Sequence, residues 1–172
     1  MNPRSIAIAA FCAVLTFSAS AQYVFTEIAR AGTGTNAAFA EILGDSQGYY
    51  LSLNNSGVVA FRARPVVSSE GIYRGAGGAI TVIATNGGAS PFALFGGLPA
   101  INDAGQVAFW AATPGLADFV IHRGSGGATT LIASRAAEGF STLFDEPTMN
   151  AAGTVAFRAS SPAGIYLGAA DR

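Results

Sequence analysis

One phrase occurs three times in this chain: "NNSGVVAF" at Asn54 to Phe61, "NDAGQVAF" at Asn102 to Phe109 and "NAAGTVAF" at Asn150 to Phe157. Successive copies lie 48 residues apart, since 102 − 54 = 48 and 150 − 102 = 48. A fixed period of this size marks structural units that cannot bury an apolar face alone and do so by packing on one another. The phrase also specifies local structure. An asparagine opening a turn can hydrogen-bond the backbone two residues on, and a glycine three places later accepts the positive φ that other residues resist. Val59, Phe61 and Ala63 then alternate with Ala60 and Arg62, as Val107, Phe109 and Ala111 do with Ala108 and Trp110. The third copy repeats the alternation in Val155, Phe157 and Ala159 against Ala156 and Arg158. A period of two predicts strands with the aromatic ring on a buried face and Arg62, Trp110 or Arg158 on the other.

The similarity extends around each copy. "GIYRGAGGAITVIA" at Gly71 to Ala84 matches "VIHRGSGGATTLIA" at Val120 to Ala133, and both predict hairpins with glycine-rich links. The third copy reads "GIYLGAADR" and reaches Arg172 before its second strand, whereas "VFTEIA" at Val24 to Ala29 resembles "ITVIA" and "TTLIA" and supplies a unit's first strand. Upstream, "PFALFGGLPAIN" at Pro91 matches "GFSTLFDEPTMN" at Gly139; the version from Phe39 to Asn54 is longer, with its insertion around Gly48, Tyr49 and Tyr50 placed in a loop. Three units follow, 22–78, 79–128 and 129–172, each of about four short strands, and no segment has a helical period. The fold class is therefore all-β, with units like β-propeller blades; the alternatives are a compact β-sandwich or a short β-solenoid. Closed propellers carry roughly four to eight blades, so three units predict exposed strand edges and pairing into a homo-oligomer.

The chain starts Met1-Asn2-Pro3-Arg4, continues apolar from Ile6 to Phe17 and reaches the small residues Ala19-Ser20-Ala21. A positive start, a short apolar centre and an A-x-A site make 1–21 a secretory signal peptide, with 22–172 the single β-repeat domain. The expected location is secreted, periplasmic or in the cell envelope. Cys12, the one cysteine, falls in the removed segment, leaving no disulfide or thiolate ligand. All nine basic residues are arginine and the net charge is −1, so no basic patch points to nucleic acid. No apolar run of membrane length follows Phe17, which excludes an integral membrane segment after cleavage.

The pattern carried by Asn54, Gly57 and Phe61, by Asn102, Gly105 and Phe109, and by Asn150, Gly153 and Phe157 resembles that of the NxxGxxAF tandem-repeat proteins of bacteria. The resemblance implies an exported repeat protein, often anchored by one of several C-terminal tails, with no shared enzymatic activity. Here "GAADR" ends the sequence with neither apolar tail nor anchoring motif, so a secreted form, a periplasmic form or a truncated gene is expected.

Candidate chemistry is sparse. His122 is the sole histidine, but it stands where Tyr73 and Tyr166 stand in the sister units, which points to a half-polar ring on a strand. Asp45, Glu70, Asp103, Asp118, Asp145 and Glu146 fall in expected loops and differ between copies; two carboxylates roughly 5 to 10 Å apart are what glycoside hydrolysis requires. Asp103 with Asp145 and Glu146 offers hard oxygen ligands for calcium, although no EF-hand loop is present. "GAGG" at Gly75 and "GSGG" at Gly124 lack the helix and lysine of a phosphate loop and serve as hairpin links. Trp110, Tyr49 and Tyr50 are the aromatic candidates for stacking on a sugar or anchoring a partner, with packing between neighbouring units an equal explanation. The expectation is an exported, non-catalytic module without a cofactor, binding an unidentified protein or carbohydrate; the alternative is a small extracellular hydrolase using loop carboxylates.

Overall fold

In the computed structural model, which describes residues 24–32, 39–45, 48–49, 51–66 and 69–169, each Asn-x-x-Gly phrase folds into the same turn. Gly57, Gly105 and Gly153 have φ of 77°, 75° and 84°, and their N–H groups donate to the carbonyls of Asn54, Asn102 and Asn150 at 3.2, 2.9 and 3.0 Å. The asparagine Oδ1 accepts from the N–H of Val58 at 2.8 Å, of Gln106 at 2.9 Å and of Thr154 at 2.9 Å. Each asparagine N–H closes the turn on the carbonyl of that same residue at 3.1 Å. The expected signal peptide and Tyr50 lie outside the described residues.

The strands gather into three antiparallel sheets. The first contains β1 (Phe39–Ile42), β4 (Leu51–Leu53), β5 (Val59–Pro65), β6 (Gly71–Gly75) and β7 (Thr81–Thr85), in the order β1-β5-β6-β7 with β4 also on β5. The second runs β11 (Thr130–Ser134), β10 (Phe119–Gly124), β9 (Val107–Ala112), β8 (Leu94–Ile101). The third joins β12 (Thr142–Leu143), β13 (Thr148–Met149) and β15 (Gly164–Gly168) to β14 (Val155–Ser160). The insertion expected around Gly48 forms a separate two-stranded hairpin, β2 (Gly44–Asp45) with β3 (Gly48–Tyr49). A four-residue helix, α1 (Arg135–Glu138), is capped by Ser134, whose hydroxyl accepts from the N–H of Ala137. Among the described residues no strand pairing joins one sheet to another, and no barrel closes.

Register repeats from sheet to sheet. Phe61 faces Tyr73, Phe109 faces His122 and Phe157 faces Tyr166, with the rings stacked at centroid distances of 5.9, 6.1 and 5.8 Å. The three phenylalanines are buried, as the alternation predicts. The other face departs from that prediction. Ala60 and Ala108, expected to point outward, are 0% exposed. The sheets stack face on face, so a strand between two layers is covered on both sides. Ala60, Ile72 and Ile83 share a core with Phe92, just ahead of β8, and with Phe95, Ile101 and Phe109 of the second sheet. Ala108, Ile121 and Ala133 do the same with Leu143, Val155 and Phe157 of the third. β14 keeps the one-sided pattern, with Arg158 exposed, because no described element covers its far face.

Candidate functional site

Polar side chains concentrate where one sheet meets the next, and the turns are the first such place. Asn54 Nδ2 donates to the Asn102 carbonyl at 3.0 Å, and Asn102 Nδ2 reaches the carbonyls of Asn150 at 3.4 Å and Ala151 at 3.3 Å. Both amides are buried, so each bond satisfies a donor that would otherwise be costly to leave unpaired. Alongside, Asn55 donates its N–H and its Nδ2 to the two oxygens of Asp103 at 2.9 and 2.8 Å. Those bonds hold the Asp103 carboxyl below its ordinary range. A cleft of about 240 Å³ runs over this ladder, lined by Leu53, Asn54, Asn55, Asn102, Asp103 and Ala151 among others.

Arginines make the second set of bridges. Arg74 Nη1 donates to the Gly105 carbonyl and Arg123 Nη1 to that of Gly153. Deeper in, Arg62 Nη1 donates to the Phe95 carbonyl at 2.9 Å, and Trp110 Nε1 donates to the Leu143 carbonyl at 2.9 Å. Phe95 and Leu143 are 48 residues apart, as are Arg62 and Trp110, so one bridge is built twice from different side chains. Each has its own support. Arg62 Nε lies 3.2 Å from Glu70 Oε1 in a largely buried pair; burial pushes the Glu70 carboxyl up, and the Arg62 charge opposes that. Trp110 instead stacks on Phe119 at 5.1 Å, and the Arg135 guanidinium covers the other ring of that stack at 4.8 Å.

The candidate residues named from sequence do not converge. His122 is wedged between Phe92 and Phe109 with Nδ1 3.1 Å from Thr129 Oγ1, and burial pushes its pKa down to about 4. Asp118 holds β10 to α1: its oxygens accept from Phe119 and Ala136 N–H and from the Ser134 hydroxyl. Burial raises its pKa, but these bonds outweigh burial and leave it lowered. Asp145 sits against Gly96 and Gly97 of β8, whereas Glu146 faces solvent. No group of three histidine, cysteine, aspartate or glutamate side chains with metal-binding geometry occurs among the described residues. Trp110 is half-buried, its N–H is bonded and its ring is stacked, so packing between the second and third sheets accounts for it. Tyr49 lies in β3, away from Trp110 in the sheet order. Arg62, Arg74 and Arg123 were not legible as bridges from the alternation alone; the available signal was the recurrence of Arg after Ile72-Tyr73 and Ile121-His122.

No helix among the described residues is long and apolar enough to cross a membrane. No curated protein and no solved structure matches the chain. The model of a family of unknown function, DUF7453, matches residues 8–164, most of the sequence, and the chain belongs to that family.

Proposed function

We propose that this protein is an exported, non-catalytic β-repeat module with a structural or interaction role at or outside the cell envelope, binding protein or carbohydrate. The observation that carries this reading is the employment of its interior polar groups: Asn54, Asn102, Arg62, Arg74, Arg123 and Trp110 all span one sheet and the next. His122, the natural candidate for a general base, is held neutral among aromatic rings. The three NxxGxxAF phrases and the leader-like start at Met1 support export.

The test has two arms. Mass spectrometry of chain recovered from the periplasm or medium of an expressing bacterium should show an N-terminus at Gln22; retention of the uncleaved start in the cytosol counts against export. Calorimetric titration with envelope polysaccharides and envelope proteins should then find binding that survives Asp145→Asn and Glu146→Gln. A turnover on a glycan panel that either substitution abolishes, with the fold intact, would replace the module by a hydrolase.

A further inference from the structure

The interfaces inside this chain have a direction. The side-chain bridges to main-chain carbonyls all run from the earlier unit to the later one: Asn54, Arg62 and Arg74 reach carbonyls of the second unit, and Asn102, Trp110 and Arg123 reach carbonyls of the third, while the Ile101 N–H, donating to Ser52 Oγ at 3.3 Å, runs the other way. The molecule therefore has two unlike ends. At one end the third sheet exposes what the earlier sheets bury. Ile165 is 74% exposed and Leu167 68%, whereas Ile72 and Ile121, which correspond to Ile165, are both 0%. Asn150, the third asparagine of the ladder, is likewise exposed. At the other end Leu53 is 63% exposed while Ile101, its counterpart opposite Val107, is 8%. Gly105 and Gly153 lie under Arg74 and Arg123, but the Cβ position of Gly57 has nothing within 4 Å.

The strand edges carry the same asymmetry. β7 bonds to β6 and also leans on the second sheet, with Ile83 Cγ2 3.5 Å from the Cβ position of Gly124. β11 bonds to β10 and leans on the third, with Ile132 Cγ2 2.6 Å from that of Gly168. Ile28 Cγ2 stands 3.4 Å from the Cβ position of Gly75. Gly75, Gly124 and Gly168 share a register, each opposite the first valine of its central strand: Val59, Val107 and Val155. Thr26–Arg30 thus occupies for the first sheet the place that β7 takes for the second and β11 for the third. It leans as they do, yet belongs to none of the sheets. β15 is the reverse case: among the described residues it pairs with β14 alone, whereas β6 and β10 each carry an outer strand, β7 and β11.

We propose that a second copy of this chain docks head to tail on the third sheet, adding its Thr26–Arg30 segment antiparallel to β15 and presenting its Asn54–Gly57 turn to the Asn150 amide. The two internal hairpins set the register. Arg74 pairs with Thr81 and Tyr73 with Val82 in one, Arg123 with Thr130 and His122 with Leu131 in the other. Between copies, Leu167 then faces Thr26 and Tyr166 faces Glu27. Strand addition supplies main-chain hydrogen bonds, and stacking buries Ile165, Leu167 and Leu53, which are otherwise wetted. Because the joined surfaces differ, the contact is heterologous and builds a ring or a filament according to the rotation per copy.

The inference names one partner for the interaction role proposed above and rests on that reading only for its biological meaning. The assay reads mass rather than ligand binding, so a monomer would refute the assembly and leave the module standing. Light scattering on the full chain should show mass rising with concentration. Ile165→Glu with Leu167→Glu blocks one end, and Leu53→Glu blocks the other; each variant alone should be monomeric. Their mixture should form one-to-one heterodimers and stop there. A wild type that stays monomeric, a blocked variant that still self-associates, or a mixture that does not combine overturns the proposal. If a variant fails to fold, hydrogen exchange on the wild type decides. Protection that grows with concentration over 26–30 and 164–168 is expected, and protection independent of concentration there refutes it.

Discussion

His122 gives the sharpest test of the packing, because its sister units show what should replace it. The ring lies between Phe92 and Phe109, and burial lowers its pKa from 6.5 to about 4. The folded chain therefore resists a proton that the unfolded chain accepts. The stability this group confers is complete above the unfolded value of 6.5 and is lost as pH falls toward the folded value of about 4. Between about pH 8 and about pH 5 the difference in proton affinity amounts to about 2 kcal/mol, which partial exposure of the ring trims to between about 1 and 2 kcal/mol. Other groups do not mimic this window. Asp103 and Asp118 are lowered carboxylates whose contribution fades only at more acid pH, and Glu70, being raised, gains on acidification. His122→Tyr installs the residue found at positions 73 and 166. Urea unfolding followed by the fluorescence of Trp110 should show the wild type losing that amount across the window. The variant should stay within about 1.5 kcal/mol of wild type at neutral pH and, sharing Glu70 and the aspartates but not the histidine, lack that loss. Equal slopes for the two proteins, or a histidine that titrates near 6.5 by NMR in the folded state, would refute the argument.

Phe109 is 1% exposed at the centre of the core between the first two sheets, so Phe109→Ala should cost about 3 to 5 kcal/mol in the same unfolding assay. Gly105→Val should destabilise by more than Gly57→Val. Both glycines have positive φ, which alone costs about 1 kcal/mol or more, but at Gly105 the new side chain would also displace the Arg74 guanidinium. Asn102→Ala removes a buried amide bonded to its own turn and to the next, and should cost about 2 to 3 kcal/mol by thermal or urea unfolding; Asn150→Ala, at an exposed turn, should cost under about 1.5 kcal/mol.

Much of the local structure was legible because the forces that set it act over a few residues. Asparagine and glycine at fixed offsets dictate the turn, alternation dictates the strand, and the matched stretches put His122 in the place of Tyr73 and Tyr166; that each of these rings faces a phenylalanine was decided by the strand pairing. The bridges were less legible. Asn54 was readable as a cap on its own turn, but its Nδ2 hydrogen bond to Asn102 spans 48 residues and depends on how two sheets meet. Trp110 was readable either as an exposed binding ring or as packing between units, and its acceptor, Leu143, lies 33 residues away, so only the meeting of the two sheets decides between them.

By itself the sequence determined that the chain is all-β, that its units recur every 48 residues, and which residue begins each turn. Tertiary structure alone decided which faces are covered. Ala60, Ala108 and Ala156 occupy the same place in the same phrase, yet the first two are sealed by the following sheet and the third is only half-buried. Period-two alternation records the direction of a side chain, not what stands opposite it. Burial of a repeated unit depends on its neighbour, so identical phrases at the middle and at the end of a stack meet different environments.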